Sequence, residues 1–275
     1  TASFLLTNTS GAPGSITATA GTPQTIVVNT AAAVNFQVIV RDGSGNPVNA
    51  VQVTFTAPPA GASGKFGGSR TAIVTTNTSG IAVAPAFTAD TLAGSYLVTA
   101  AASGPATSAL FSITNIPGPV SRIISTAGTP QSAQVGTVFA TNFKARVTAA
   151  FSNSIVGNVV TFTPPAQTGA SGTFAGSVNT ATTDSAGVAT AAVFTANSIS
   201  GSYSLPAFAA GVATPAIFAL TNTTGAAASI TATVGTPQTT TVNTLFPLTL
   251  QATVRDAASN PIVGAPVTFT SPVTG

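Results

Sequence analysis

Hydrophobic and polar residues alternate along most of this chain with the period of two that marks β-strands. Residues 34–40 place Val34, Phe36, Val38 and Val40 on one face of a strand. The same alternation recurs at 51–56, 81–87, 96–100 and 111–113. β-Branched side chains suit a pleated, half-buried surface, and no stretch follows a helical period for more than one turn. The pattern therefore predicts a protein built from strands.

The alternating pattern returns at a constant interval of 107 residues. A Gly-Thr-Pro-Gln motif stands at 21–24, 128–131 and 235–238. A Val-Thr-Phe-Thr motif stands at 53–56, 160–163 and 267–270. No insertion or deletion separates the copies. Because a strict period of this length matches the size of a domain, the sequence predicts an array of one repeated unit.

Clusters of Gly and Pro separate the predicted strands at 43–47, 58–61, 78–80 and 92–94. Gly adopts positive φ without steric cost and Pro restricts φ, so both residues favour turns. The spacing of these turns predicts about seven to eight short strands in each repeat of 107 residues. That number of strands favours an antiparallel β-sandwich, with a closed barrel as the alternative.

The period divides the chain into four segments. Residues 1–10 match the end of a period and predict the last strand of a preceding repeat. Residues 11–117 and 118–224 are two whole repeats, and residues 225–275 are the first half of a third. Each whole repeat is long enough to bury a core of its own. We therefore expect this chain to be a window from a longer array.

Charge is scarce in this sequence. Charged residues make up 4% of the chain, and the net charge of +3 comes from seven basic and four acidic residues that are scattered over its length. Nucleic-acid binding needs clustered Lys and Arg, so we predict no nucleic-acid partner. No apolar run approaches the roughly 20 residues of a membrane helix, so we predict no membrane span within the chain.

The residue types that carry catalysis and metal binding are almost absent. There is no His and no Cys, and the four Asp fall in different turns. A general acid–base site needs partners within hydrogen-bond reach, so we predict no catalytic residues, no cofactor and no metal. Asp42 and Asp256 suggest a calcium loop as an alternative, but each turn offers one carboxylate where calcium takes six to eight oxygens. We favour a turn in which the Asp bonds its own backbone.

The turn motifs resemble a known family. Residues 40–48 read Val-Arg-Asp-Gly-Ser-Gly-Asn-Pro-Val, and they are followed by Thr-Ser-Gly-Ile-Ala at 78–82 and Ala-Gly-Ser-Tyr at 93–96. Together with residues 183–189 and 254–269, this order resembles the bacterial immunoglobulin-like (Ig-like) domain of the invasin/intimin type. The resemblance implies tandem Ig-like β-sandwiches on a bacterial surface, as the stalk of an adhesin or a surface polymer. The second repeat departs from the motif at 148–154, where both charges and the Pro are lost.

Two kinds of side chain have a predicted site role. Tyr96 and Tyr203 stand at the same position of their repeats, each after Gly-Ser at the start of a strand, and predict a structural tyrosine corner whose hydroxyl bonds the backbone. Asn8, Asn77 and Asn222 fit the triplet of N-glycosylation acceptors.

These observations predict a structural function. We expect repeats of a long bacterial extracellular or cell-surface protein, which is not an enzyme and forms a stalk or a self-assembling filament. The chain carries few charges, so electrostatic repulsion between copies is weak. We therefore expect other copies of the chain as partners, side by side or end to end.

The alternative is an adhesin module that recognises a host or carbohydrate surface. It predicts a patch in one repeat that the others lack, and the second repeat offers the best candidate. The patch would comprise Phe139, Phe143, Lys144, Arg146 and Phe151. The phenylalanines fall partly on core positions, so we favour packing, and no residue pattern supports a host or glycan ligand.

Overall fold

The computed structural model describes residues 2–5, 9–105 and 107–273. About 47% of the chain is strand and 2% is helix, which confirms the all-β prediction. The chain forms two compact units. Unit 1 comprises Thr1–Pro119 and Ala149–Asn153, and unit 2 comprises Val120–Thr148 and Ser154–Gly275.

Unit 1 has ten strands among its described residues, more than the seven to eight predicted, because three of them are only three residues long. The strands are β1 (Pro13–Ala20), β2 (Gln24–Val27), β3 (Gln37–Asp42), β4 (Gln52–Thr56), β5 (Gly64–Phe66), β6 (Thr71–Thr75), β7 (Ile81–Val83), β8 (Phe87–Ala89), β9 (Gly94–Ala102) and β10 (Ala109–Ile116). A short 3₁₀ helix spans Ala150–Ser152.

The strands of unit 1 form two main sheets. One has the order β1-β3-β7, the other has the order β2-β10-β9-β4-β6, and β5 pairs with β8. All pairs are antiparallel except β2 with β10, which corrects the expectation of a purely antiparallel sandwich. After β1 the chain passes to the other sheet, where β2 runs parallel to β10. Gly21 lies at this passage with a φ of 86°, and a Cβ there would collide with Phe36.

The two sheets of unit 1 enclose one core. Val38 from the smaller sheet and Val53 from the larger sheet are both fully buried in it. Phe36 lies at the centre, with its ring centroid 4.9 Å from that of Phe111 and 5.0 Å from that of Phe87. Face-to-face packing of this kind makes the unit a β-sandwich, as the alternating pattern predicts.

Unit 2 repeats the same design. Its strands are β11 (Val120–Ala127), β12 (Gln131–Gln134), β13 (Lys144–Ala149), β14 (Val159–Phe162), β15 (Gly172–Phe174), β16 (Thr180–Thr182), β17 (Val188–Thr190), β18 (Phe194–Ala196), β19 (Gly201–Ala209), β20 (Ala216–Thr223), β21 (Ala227–Val234) and β22 (Gln251–Asp256). A 3₁₀ helix spans Ala175–Ser177. The sheets are β11-β13-β17, β12-β20-β19-β14-β16, β15-β18 and β21-β22, and β12 runs parallel to β20. Phe143, Phe162 and Phe218 fill the core.

The ends of the chain carry little regular structure. Residues 2–5 and 9–10 are not in a strand, although the pattern predicts one over 1–10, because no neighbouring strand pairs with them among the described residues. In the third repeat, the described residues form β21 and β22 alone. The repeat boundaries stay a prediction. Over the described part of the chain, helices are too short to cross a membrane.

Candidate functional site

A tight turn in the first and third repeats is organised around one buried aspartate. We call it the Asp turn (residues 41–47 and 255–261). Asp42 Oδ1 accepts the backbone N–H groups of Ser44 and Asn46, both at 2.9 Å, and its Oδ2 accepts the N–H of Gly11 at 3.0 Å. Asp256 makes the equivalent bonds in the third repeat, from Oδ1 to Ala258 N and Asn260 N and from Oδ2 to Gly225 N.

These donors hold both carboxylates ionised. The N–H of Gly11, followed by the side-chain amide of Asn46, lowers the pKa of Asp42 to about 2. The side-chain amide of Asn260 is the main group that lowers the pKa of Asp256. Backbone and amide donors thus occupy the carboxylate oxygens, which favours the turn over the calcium alternative. Within the described ranges, no three His, Cys, Asp or Glu side chains come together as a metal site.

In the third repeat, the asparagine of the Asp turn binds a loop of the repeat before it in sequence. We call that segment the docking loop (residues 91–93 and 198–200). In unit 2, Asn260 Oδ1 accepts the N–H of Ser200 at 3.0 Å, and Asn260 Nδ2 donates to the carbonyl of Ser198 at 2.8 Å. Asn260 is only 7% exposed, so these bonds are shielded from water.

The same pair of hydrogen bonds occurs in unit 1, which includes residues 149–153. Asn153 Oδ1 accepts the N–H of Ala93 at 2.8 Å, and Asn153 Nδ2 donates to the carbonyl of Thr91 at 2.8 Å. Asn153 is 6% exposed. Ala149 stands where the other repeats have Asp, so docking of the loop depends on the asparagine and not on the carboxylate.

A second asparagine holds the docking loop from the inside. Asn115, near the end of β10, donates from Nδ2 to the carbonyl of Ser63 at 2.9 Å, to Asp90 Oδ1 at 3.2 Å and to the carbonyl of Leu92 at 3.3 Å. Its counterpart near the end of β20, Asn222, donates to Ser171 O, Asn197 Oδ1 and Ile199 O. The docking loop of each unit is therefore clamped between two asparagines.

The two tyrosines complete this inner network. The Tyr96 hydroxyl donates to Asn115 Oδ1 at 2.9 Å. Its acceptor is therefore a side chain, whereas the predicted tyrosine corner has a backbone acceptor. The Tyr203 hydroxyl lies 3.2 Å from Asn222 Oδ1 and 3.3 Å from the carbonyl of Ser171. Burial raises the pKa of Tyr96 and Tyr203 well above the usual range, so both stay neutral donors.

The predicted glycan acceptors have different surroundings. Asn222 is 1% exposed and its amide is used by the hydrogen bonds above, so the folded repeat has no room for a glycan there. Asn77 lies in an exposed turn, where its Oδ1 accepts the N–H groups of Ser79 and Ile81, and it stays a predicted acceptor. Asn8 lies outside the described residues.

The predicted patch of the second repeat does not form one surface. Phe139 and Phe143 are buried in the core of unit 2, because both lie on the inward side. Arg146 donates to the carbonyl of Ala186 and to Ser154 Oγ. Lys144 is exposed in β13, and Phe151 is 54% exposed in unit 1.

Reasoning from the sequence missed the asparagine clamp, although a signal was present. Asn46, Asn153 and Asn260 recur at the 107-residue interval while the residues between Asp and Asn change, and Asn115 and Asn222 recur in the same way. A polar residue retained in every copy of a diverging repeat is a candidate for a contact that every copy makes.

Comparison with solved structures identifies the fold. The chain is similar to FdeC, an Escherichia coli adhesin, with 20% identity and a TM-score of 0.56 over 94% of this chain and 79% of that one. It is similar to InvD of Yersinia pseudotuberculosis, with 19% identity and a TM-score of 0.54 over 90% of this chain and 71% of that one. Invasin, a bacterial integrin-binding protein, aligns with 19% identity and a TM-score of 0.46 over 91% of this chain and 48% of its own.

The chain shares its fold with the FdeC and InvD structures, which confirms at the level of the fold the resemblance found in the sequence. No protein-family model and no curated protein matches the chain. At these identities the likeness concerns the fold alone.

Proposed function

We propose that this chain is a structural repeat region of a bacterial extracellular or cell-surface protein, and that it acts as a stalk or as part of a self-assembling filament. The observation that carries the proposal is the asparagine clamp, which recurs with the same two hydrogen bonds at the 107-residue interval. In both units these buried asparagines hold a loop in place. Such an arrangement suits a mechanical spacer, whose length is set by the number of repeats.

The cell-surface location is part of the proposal. FdeC, the solved structure with a TM-score of 0.56, is described as an adhesin, and it shares the fold over 94% of this chain. Side-chain chemistry agrees with a role without catalysis, since the sequence lacks His and Cys. We therefore infer a non-enzymatic surface protein.

Side-by-side contacts between copies are supported by the outer face of the larger sheets. Leu97, Leu110 and Ile73 are about half exposed or more in unit 1. Leu97 and Leu110 alternate with buried core residues of β9 and β10, and Ile73 lies between two half-buried residues of β6. Phe208 and Ile217 take a similar place in unit 2. Because few charges lie in the chain, contact between such faces would depend little on salt.

The self-assembly is tested by mass photometry and light scattering over a range of protein and NaCl concentrations, with negative-stain imaging of the products. We expect larger species at high concentration that persist in 1 M NaCl (a roughly 3 Å Debye length). The double variant Leu97→Thr/Leu110→Thr should weaken association. The control is Val83→Thr, an exposed apolar residue of the smaller sheet. Isolated monomers at all concentrations would refute self-assembly.

An adhesin module is the second candidate, and one observation favours it. Phe151 is 54% exposed with a φ of 58°, at a position where the first and third repeats have Ser44 and Ala258. A glycan array and a cell-adhesion assay with the wild-type chain and Phe151→Ala test it. Val156→Ala, which removes another exposed apolar side chain, is the control. Binding that only Phe151→Ala abolishes would support the adhesin; equal or absent binding would exclude a ligand at Phe151.

A further inference from the structure

Asn153 and Asn260, the asparagines that bind the docking loops, have a counterpart in the first repeat whose side-chain amide is open to solvent. Asn46 stands 107 residues before Asn153, yet Asn46 is exposed while Asn153 and Asn260 are 6% and 7% exposed. Among the described residues, Asn46 Oδ1 has no hydrogen-bond donor, and Asn46 Nδ2 donates to Asp42 Oδ2 alone, at 3.1 Å.

The open turn has the conformation of the occupied one. In both, the Asp N–H bonds the Asn carbonyl, at 2.9 Å in the first repeat and 3.0 Å in the third. In both, the Arg guanidinium caps the turn at 2.7 Å, from Arg41 to Gly45 O and from Arg255 to Ser259 O. The residue before the Asn has positive φ in each case, 87° at Gly45 and 68° at Ser259. Asn46 is therefore preorganised, and binding a loop would need little rearrangement.

The two occupied sites define what Asn46 fits. Each docking loop offers one backbone carbonyl and, two residues later, one backbone N–H, 62 and 60 residues before the asparagine. The side chains at these positions differ, Thr91 and Ala93 in one loop and Ser198 and Ser200 in the other. Recognition is thus by the backbone, so any folded copy of the repeat carries the required groups.

We propose that the Asp turn around Asn46 is the docking surface for the docking loop of a further copy of the 107-residue repeat, joined ahead of residue 11. This inference rests on the proposed function, because a spacer built from repeats supplies such a copy. The occupant is one class of partner, a copy of this fold. Its contact with Asn46 would bury the amide as Asn153 and Asn260 are buried.

The test replaces residues 1–10 with one whole repeat and keeps the rest of the chain. A copy of residues 118–224 is fused directly before residue 11, which keeps the 62-residue separation between its Ser198 and Asn46. Ile199→Val in the added copy gives its peptides a distinct mass. Amide exchange of the added copy's Ser200 is followed by mass spectrometry, with and without Asn46→Ala.

We expect the added copy's Ser200 amide to be protected as in the original repeat, and Asn46→Ala to speed its exchange about five- to tenfold, as expected for loss of one hydrogen bond. Asn260→Ala should do the same to the original Ser200 amide and serves as the positive control. Asn77→Ala, in another Asx turn of the first repeat, should change neither.

The outcomes separate the two proposals. Equal exchange with Asn46 and Asn46→Ala, while the positive control responds, would overturn the docking surface. No response to Asn260→Ala would overturn backbone docking by these asparagines altogether. Small-angle scattering of the extended chain reports on the spacer: a folded extra copy that adds no length would contradict the proposed function and leave the docking result standing.

Discussion

Asn115 links four groups of unit 1 through its buried side chain, so its loss should be costly to that unit. The Asn115→Ala variant removes one acceptor and one amide group from a side chain that is 2% exposed. The Tyr96 hydroxyl loses its acceptor, and the carbonyls of Ser63 and Leu92 lose a donor. No water replaces these partners easily, because the site is buried.

The magnitude follows from the hydrogen bonds. A typical bond contributes about 0.5–1.5 kcal/mol net, and a buried group left without a partner costs about 1–3 kcal/mol. The bonds of Asn115 to Tyr96 and Ser63 are short, and those to Asp90 and Leu92 are longer and therefore weaker. We expect Asn115→Ala to lower the free energy of unfolding of unit 1 by about 3 kcal/mol. Domains of this size are stable by about 5–15 kcal/mol, so the loss is a large fraction of the total.

Native-state amide exchange measures this loss one unit at a time. Core amides of β9 and β10 in unit 1 should exchange more than 100-fold faster in Asn115→Ala, since about 1.4 kcal/mol is a factor of ten. Asn77→Ala is the matched control, because Asn77 is exposed and we expect a change below about 1 kcal/mol there.

A double-mutant cycle tests the contact itself. Tyr96→Phe alone should cost about 1 kcal/mol, and it should cost much less in the Asn115→Ala background, where the hydroxyl has already lost its acceptor. In unit 2 the coupling of Tyr203 with Asn222 should be weaker, because the Tyr203 hydroxyl has a second acceptor in the carbonyl of Ser171. A loss below about 1 kcal/mol in Asn115→Ala, or additive effects of the pair in unit 1, would refute the reasoning.

The remaining predictions concern packing and pH. Gly64→Ala should destabilise unit 1 by about 1–3 kcal/mol in urea denaturation, because its Cβ would overlap a buried phenylalanine ring, whereas Gly43→Ala, which faces open space, should be nearly neutral. The pKa of Asp42 is lower in the folded state than in the unfolded chain, so the contribution of its carboxylate to stability is present above about pH 4 and is lost as pH falls towards 2. The denaturation midpoint should therefore fall less over that pH range in Asp42→Asn than in the wild type. An equal fall would contradict the prediction. The pKa of Tyr96 and Tyr203 is raised in the folded state, so the stability that their neutral hydroxyls contribute is retained up to about pH 10 and is lost above it. Absorbance at about 295 nm should therefore show both tyrosines ionising only as the chain unfolds. Ionisation near pH 10 with intact circular dichroism would show that the hydroxyls are not buried donors.

Sequence reasoning identified the elements and the fold because both depend on local or periodic features. Alternation with a period of two is visible within six or seven residues, and it correctly placed Val38, Val53 and Phe55 in the core. The glycine- and proline-rich turns bounded the strands, and the constant 107-residue interval indicated tandem copies before any contact was known.

Pairing between distant segments was decided by the tertiary structure. Nothing in residues 24–27 distinguishes a strand that crosses to the other sheet from one that turns back beside β1, because the choice depends on the edge that β10 exposes far along the chain. The three-residue strands β5 and β8 also exist only as a pair, so neither has a signal of its own.

The roles of the asparagines depended on tertiary contacts most of all. Asn222 lies in a triplet that the sequence marks as a glycan acceptor, while folding buries it against residues 171, 197 and 199. The role of Asn260 depends on its hydrogen bond to the carbonyl of Ser198, which lies 62 residues earlier in the chain. The sequence does not show what surrounds a polar side chain. Whether it faces water or a backbone carbonyl is decided only when distant strands assemble around it.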